Sequence, residues 1–138
     1  MNKNAQAGFT LMEILIAIAI VGLLATVSLS LFRYFASSQK KAAAMALKTL
    51  KNAVGIYYTD VGQYPEQLKD LVQKPSDEAA ARSWNGEYIQ GKDALRDPWK
   101  RKYEYKRTEG GEHEYELYSY GEKGKNAPKS EWISVWDL

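Results

Sequence analysis

The 138-residue chain has no cysteine and only one histidine, His113. The first absence excludes a disulfide framework, a thiolate metal site and a cysteine nucleophile. The second leaves no imidazole cluster to hold a metal or relay a proton, and His113 lies in a charged stretch that reads as solvent-facing. Charge of one sign is also missing: 19 Lys and Arg stand against 17 Asp and Glu, a formal charge of +2. Such a balance gives no strong pull toward nucleic acid or anionic lipid. There is no glycine-rich phosphate loop, since Gly110-Gly111 sits where a hairpin turn is expected. Aromatic residues make up 12% of the chain, but their spacing suits strand faces and a core, not a platform for stacking bases. No nucleophile, base and orienting group come together, so the chain is not expected to be an enzyme. Its length allows one small domain and one membrane segment.

What the chain does have is a long apolar run. Phe9 to Phe32 is about 24 residues, which as a helix spans roughly 36 Å, enough to cross a bilayer. A secretory signal has a shorter core and ends in a small-residue cleavage site beyond it. This run is too long for that, and its helical pattern continues into polar sequence. Lys3, in the short polar stretch before it, favours a cytoplasmic N-terminus. One carboxylate, Glu13, sits inside the run, where burial in lipid costs about 2.5 to 3.5 kcal/mol. It needs a partner.

From Arg33 to Tyr58 no proline interrupts the chain, and Ala43, Leu47, Leu50, Val54 and Tyr57 or Tyr58 recur three or four apart on one helical face. Lys40, Lys41, Lys48, Lys51 and Asn52 lie opposite, as a solvated or subunit-facing side. A continuous helix from Phe9 to about Tyr58 would measure roughly 75 Å. Gly62 is a plausible breaker, and Pro65 suits the first turn of a short helix over Glu66 to Val72. Lys74 to Ser83 reads as loop with one or two helical turns. Asp97-Pro98 marks a turn, with Trp99 expected to anchor in the core. Lys102 to Arg107 and His113 to Ser119 alternate about a glycine turn as an antiparallel hairpin. Tyr103 and Tyr105 share one face, Tyr115 and Leu117 point inward, and Trp132 to Trp136 forms a third strand. The fold expected is α+β: a long N-terminal helix against a small antiparallel sheet.

Gly8-Phe9-Thr10-Leu11-Met12-Glu13 resembles the processing motif of type IV prepilins and type II secretion pseudopilins. The likeness extends to Gly62-Gln63-Tyr64-Pro65 after the tyrosine-rich helix end and to Asp97-Pro98-Trp99, where Lys100 replaces the family's glycine. It implies a pilin-like fold and four segments: leader 1-8, membrane or filament-core helix 9-32, its amphipathic half 33-58, and head 59-138. It also implies cleavage after Gly8, N-methylation of Phe9, an assembly role for Glu13, and helix flexibility at Gly22. Glu13 is one turn from Phe9 and could meet that amine within or between chains. Ser30 stands where the family commonly has proline, so no proline kink is expected there.

The head pattern is similar to the major pseudopilins of type II secretion. The resemblance therefore implies a single-pass inner-membrane protein with its head in the periplasm, polymerising with itself to drive export of folded proteins. Its implied partners are minor pseudopilins, an inner-membrane assembly platform and a prepilin peptidase, with no nucleic acid. The alternative is a type IV or competence pilin serving adhesion, motility or DNA uptake. Those pseudopilins carry calcium in a C-terminal loop matching Ser119-Tyr120-Gly121-Glu122-Lys123-Gly124 and Glu131-Trp132. Here Lys123 and Trp132 replace expected acidic ligands, and a charged ammonium has no lone pair to donate. No metal is expected. Either Lys123 pairs with Glu131 or Glu122 and closes the loop in place of the ion, or the loop is simply flexible.

Overall fold

A computed structural model of the chain describes residues 8–138. It divides at Ala36, with the residues up to it forming one compact unit and Ser37–Leu138 another. Helix α1 runs Leu11–Val61, a few residues beyond the expected end at Tyr58. It is unbroken through Gly22 and Ser30. The hydroxyls of its apolar part turn inward: Thr26 donates to the Leu23 carbonyl, Ser28 to Leu24 and Ser30 to Thr26. Each thus finds an acceptor on its own helix, as a hydroxyl in an apolar surrounding must. No residue from Gly8 to Phe35 is buried or half-buried within the chain.

The second half of α1 buries Ala43, Leu47, Leu50, Ala53, Val54 and Tyr57. This is the face expected from the apolar spacing, with Ala53 added. Lys51 is exposed, as the solvated reading has it, and its ammonium also lies 4.2 Å from the centre of the Trp136 ring, in cation–π contact. Gly62, at φ +81°, ends the helix while its N–H still bonds the Tyr58 carbonyl.

The short helix expected after Pro65 is instead a 3-10 turn, Leu68–Leu71. The Pro65 carbonyl accepts the Tyr105 hydroxyl at 2.8 Å. Gln67 is extended, and its N–H and side-chain amide both donate to the Asp70 carboxylate, so helical geometry starts only at Leu68. Helix α2, Glu78–Ser83, is capped by Asp77, whose carboxylate accepts the Ala80 N–H.

Strands β1 (Glu104–Arg107), β2 (Tyr115–Ser119) and β3 (Ile133–Ser134) form one antiparallel sheet in the order β1-β2-β3. Glu104 pairs with Tyr118, Arg107 with Tyr115, and Ser119 with Ile133. Along β2, Tyr115, Leu117 and Ser119 are buried while Glu116 is exposed, the period of two of a strand with one covered face. The third strand is shorter than expected. Ser134 accepts the Trp136 N–H and turns the chain into a 3-10 turn, Val135–Asp137. Leu47, Leu50, Val54 and Tyr57 of α1 share one core with Leu71, Tyr103, Tyr115, Leu117 and Val135. Trp99 lies outside that core, half-buried at the tip of a tight turn, and its indole N–H has no partner among the described residues.

Candidate functional site

Two places carry the residues singled out by sequence, and each is described on its own. At the N-terminal one, Phe9 is 87% exposed and Gly8 is exposed as well. The rest of the expected leader, residues 1–7, lies outside the described residues. Thr10 and Glu13 form a reciprocal cap on α1. The Thr10 N–H donates to the Glu13 carboxylate at 2.8 Å, and the Glu13 N–H donates to the Thr10 hydroxyl at 3.2 Å. Two otherwise unpaired donors of the first helical turn are satisfied this way. The Glu13 carboxylate therefore has a local partner at Thr10, besides the one expected at Phe9. The signal was present as Thr-x-x-Glu before an apolar run.

The second place joins two turns through a buried carboxylate. Asp97, 3% exposed, accepts the Trp99 N–H at 3.1 Å and the Arg101 N–H at 2.9 Å on one oxygen. Its other oxygen accepts the Ser119 hydroxyl at 2.7 Å. Ser119, fully buried, in turn accepts the Gly121 N–H at 3.0 Å. Arg101 closes the circuit: its guanidinium donates to the Gly121 carbonyl at 2.7 Å and to the Glu122 carbonyl at 3.0 Å. Gly121 and Gly124 have φ of +75° and +72°, and a Cβ on Gly124 would lie 3.1 Å from the guanidinium carbon. Glycine there allows both the turn and the close approach of Arg101.

Around this circuit, Lys123 donates to Glu131 at 2.7 Å, with 64% and 39% of the two side chains exposed. Glu122 makes its contact through its carbonyl. Trp132 stacks on Tyr118 at 4.8 Å, meets Tyr120 edge-on, and donates its indole N–H to the Ala127 carbonyl. Burial, and then the Tyr120 hydroxyl, pushes the Tyr118 phenol up to about 12. Burial also raises Tyr103 to about 12, with the nearby Asp97 carboxylate adding to it. His113 is not a free surface histidine but is half-buried, stacked flat on Trp136 at 4.0 Å.

Lys100, at φ +66°, is the one described non-glycine residue in the left-handed region. Its N–H bonds the Asp97 carbonyl at 2.9 Å, so the turn keeps the form a glycine would give it. A side chain held there costs about 1 to 2 kcal/mol. Lys100→Gly should therefore stabilise the head by about 1 kcal/mol, after the greater freedom of glycine in the unfolded chain is subtracted. The midpoint of a urea titration measures it.

The model of the family described as type II secretion system (T2SS), protein G, matches residues 30–136, and that of the prokaryotic N-terminal methylation motif matches residues 3–29. The chain belongs to the type II secretion protein G family. It is 31% identical to the type II secretion system core protein G of Pseudomonas aeruginosa over 99% of both chains. It also resembles a type IV major pilin protein PilE1 of Neisseria gonorrhoeae, 45% identical, but over only 54% of this chain and 47% of that one. The fold matches the crystal structure of the major pseudopilin from the type 2 secretion system of enterohaemorrhagic Escherichia coli. There the TM-score is 0.63 at 23% identity, covering 78% of this chain and 95% of the other.

The chain is thus a major pseudopilin, structural and not enzymatic, and the pilin alternative is not the family that spans it. A pseudopilin with a methylation motif and an apolar N-terminal helix is an inner-membrane protein that assembles into a periplasmic pseudopilus. Sequence reading missed Arg101 and the ligating role of Asp97. The Asp-Pro turn hinted at the second, since an aspartate before such a turn often bonds the backbone two residues on.

Proposed function

We propose that this subunit is cut after Gly8, methylated at Phe9, and polymerised with copies of itself through the Phe9 to Phe32 segment, with the head in the periplasm. Supporting this reading is a single observation: a run of large apolar side chains, each at least half exposed or nearly so within the chain, holding one carboxylate at Glu13. Lipid can cover those side chains before assembly and neighbouring helices afterwards. Glu13 then meets a methylated amine, its own or a neighbour's, and sets the axial position of each subunit. Gly22, which weakens the helix locally, lets it adjust when packed. Minor pseudopilins, an inner-membrane assembly platform and a prepilin peptidase are the partners this work requires, and growth of the filament exports folded proteins.

The test is Glu13→Leu, introduced in the chromosomal gene. Losing one partner of a buried charge pair costs about 3 kcal/mol or more per contact, roughly a hundredfold in affinity. The variant should enter the membrane and be processed normally, as shown by the mass of its N-terminal peptide, while export of folded proteins collapses. A membrane anchor that never polymerises would be indifferent. Normal export by Glu13→Leu would remove the assembly reading.

A further inference from the structure

We infer that the C-terminal loop of this chain is closed by its own Arg101 guanidinium, assisted by Lys123, and takes no divalent cation. The donor set around the loop does not fit such an ion. A calcium ion wants six to eight oxygens, whereas several of the loop's oxygens are already engaged. The Ser119 hydroxyl is shared between Asp97 and the Gly121 N–H. The Gly121 and Glu122 carbonyls face the guanidinium, and Glu131 faces the Lys123 ammonium. Trp132 contributes a ring and an N–H that donates. Among the described residues no three His, Cys, Asp or Glu side chains are grouped to hold a metal. The Arg101 guanidinium, held against the Gly121 and Glu122 carbonyls, would also repel a cation arriving there.

The two basic residues do not contribute equally. Lys123 and Glu131 are well exposed, and such pairs are weak and screened by salt. Arg101 makes two charge-assisted bonds in fork geometry to adjacent carbonyls, and its own N–H is held by the buried Asp97. It therefore links the Asp97 turn to the Gly121 turn from a pre-set position, which is the cross-linking a bound ion could otherwise provide. The loop of this subunit would then keep its shape whatever the divalent cation level around it. This inference rests on the head alone, so its outcome and that of Glu13→Leu are independent.

The test uses the full-length protein in detergent micelles, melted under near-ultraviolet circular dichroism, where the Tyr118–Trp132 stack beside the loop reports. The Tm should be the same in millimolar calcium chloride as in EDTA. A site held at a hundredfold over its Kd would raise Tm by roughly ten degrees, and a rise of that order overturns the inference. This arm needs no variant. Arg101→Met, which keeps an apolar stem, should lower Tm by several degrees in both buffers, and Lys123→Met by less. An unchanged Tm in Arg101→Met, or a larger fall in Lys123→Met, would remove Arg101 as the closing group.

Discussion

Truncating Asp97 to alanine should lower the stability of the head by about 3 to 5 kcal/mol. The carboxylate is 3% exposed and receives three donors: the N–H groups of Trp99 and Arg101 and the Ser119 hydroxyl. Alanine would leave all three facing a small void, and each buried donor without a partner costs about 1 to 3 kcal/mol. Water entering through the turn would recover part of that. Against a total of about 5 to 15 kcal/mol for a domain of ordinary stability, such a loss would leave much of the protein open to proteolysis. Asp97→Asn retains one accepting oxygen for the two N–H groups but turns an amide toward Ser119. It should cost less, about 1 to 2 kcal/mol.

Ser119→Ala removes the next link and leaves the Gly121 N–H unpaired. Combined with Asp97→Ala it should cost less than the sum of the two, since residues in one network are not additive. Urea titrations of the three variants and the double variant measure all of this. A loss of under about 1 kcal/mol for Asp97→Ala, within the range of an ordinary surface change, would show that the circuit does not hold the head.

How far these features could be read from sequence depends on the distance over which they act. The long helix was legible because its information is local: an apolar run of membrane length followed by a strict three-four spacing that α1 buries almost unchanged. The hairpin was legible for the same reason, through alternation either side of a glycine turn. The Thr10–Glu13 cap was equally local and still overlooked, because the family motif offered Glu13 a different partner. What sequence could not show was contact between turns far apart. Arg101 reaches Gly121 across 20 positions, and nothing in Trp99-Lys100-Arg101-Lys102 distinguishes that arginine from its basic neighbours. The partner of Lys51 and of His113 was hidden alike, since each finds Trp136 only after the sheet and helix have met. Local propensity also lost to tertiary bonding at Pro65, whose carbonyl is taken by Tyr105 from β1.

The two halves of α1 should respond oppositely to the same truncation. Leu50 is fully buried and shares the core with Leu117 and Val135. Leu50→Ala should destabilise the head by about 2 to 5 kcal/mol, the transfer term plus the cavity left behind. Leu24, in the apolar half, is 58% exposed within the chain, so Leu24→Ala leaves no cavity in the subunit and should not move the melting of the detergent-solubilised protein. Its cost appears only where something outside the chain covers it. Leu50→Ala should therefore insert into the membrane normally and fail through head unfolding, seen as a lowered Tm and faster proteolysis. Leu24→Ala should melt like the parent and show any defect in filament packing alone. Equal melting of the two variants would mean that the second half of α1 is not the scaffold on which the head is built.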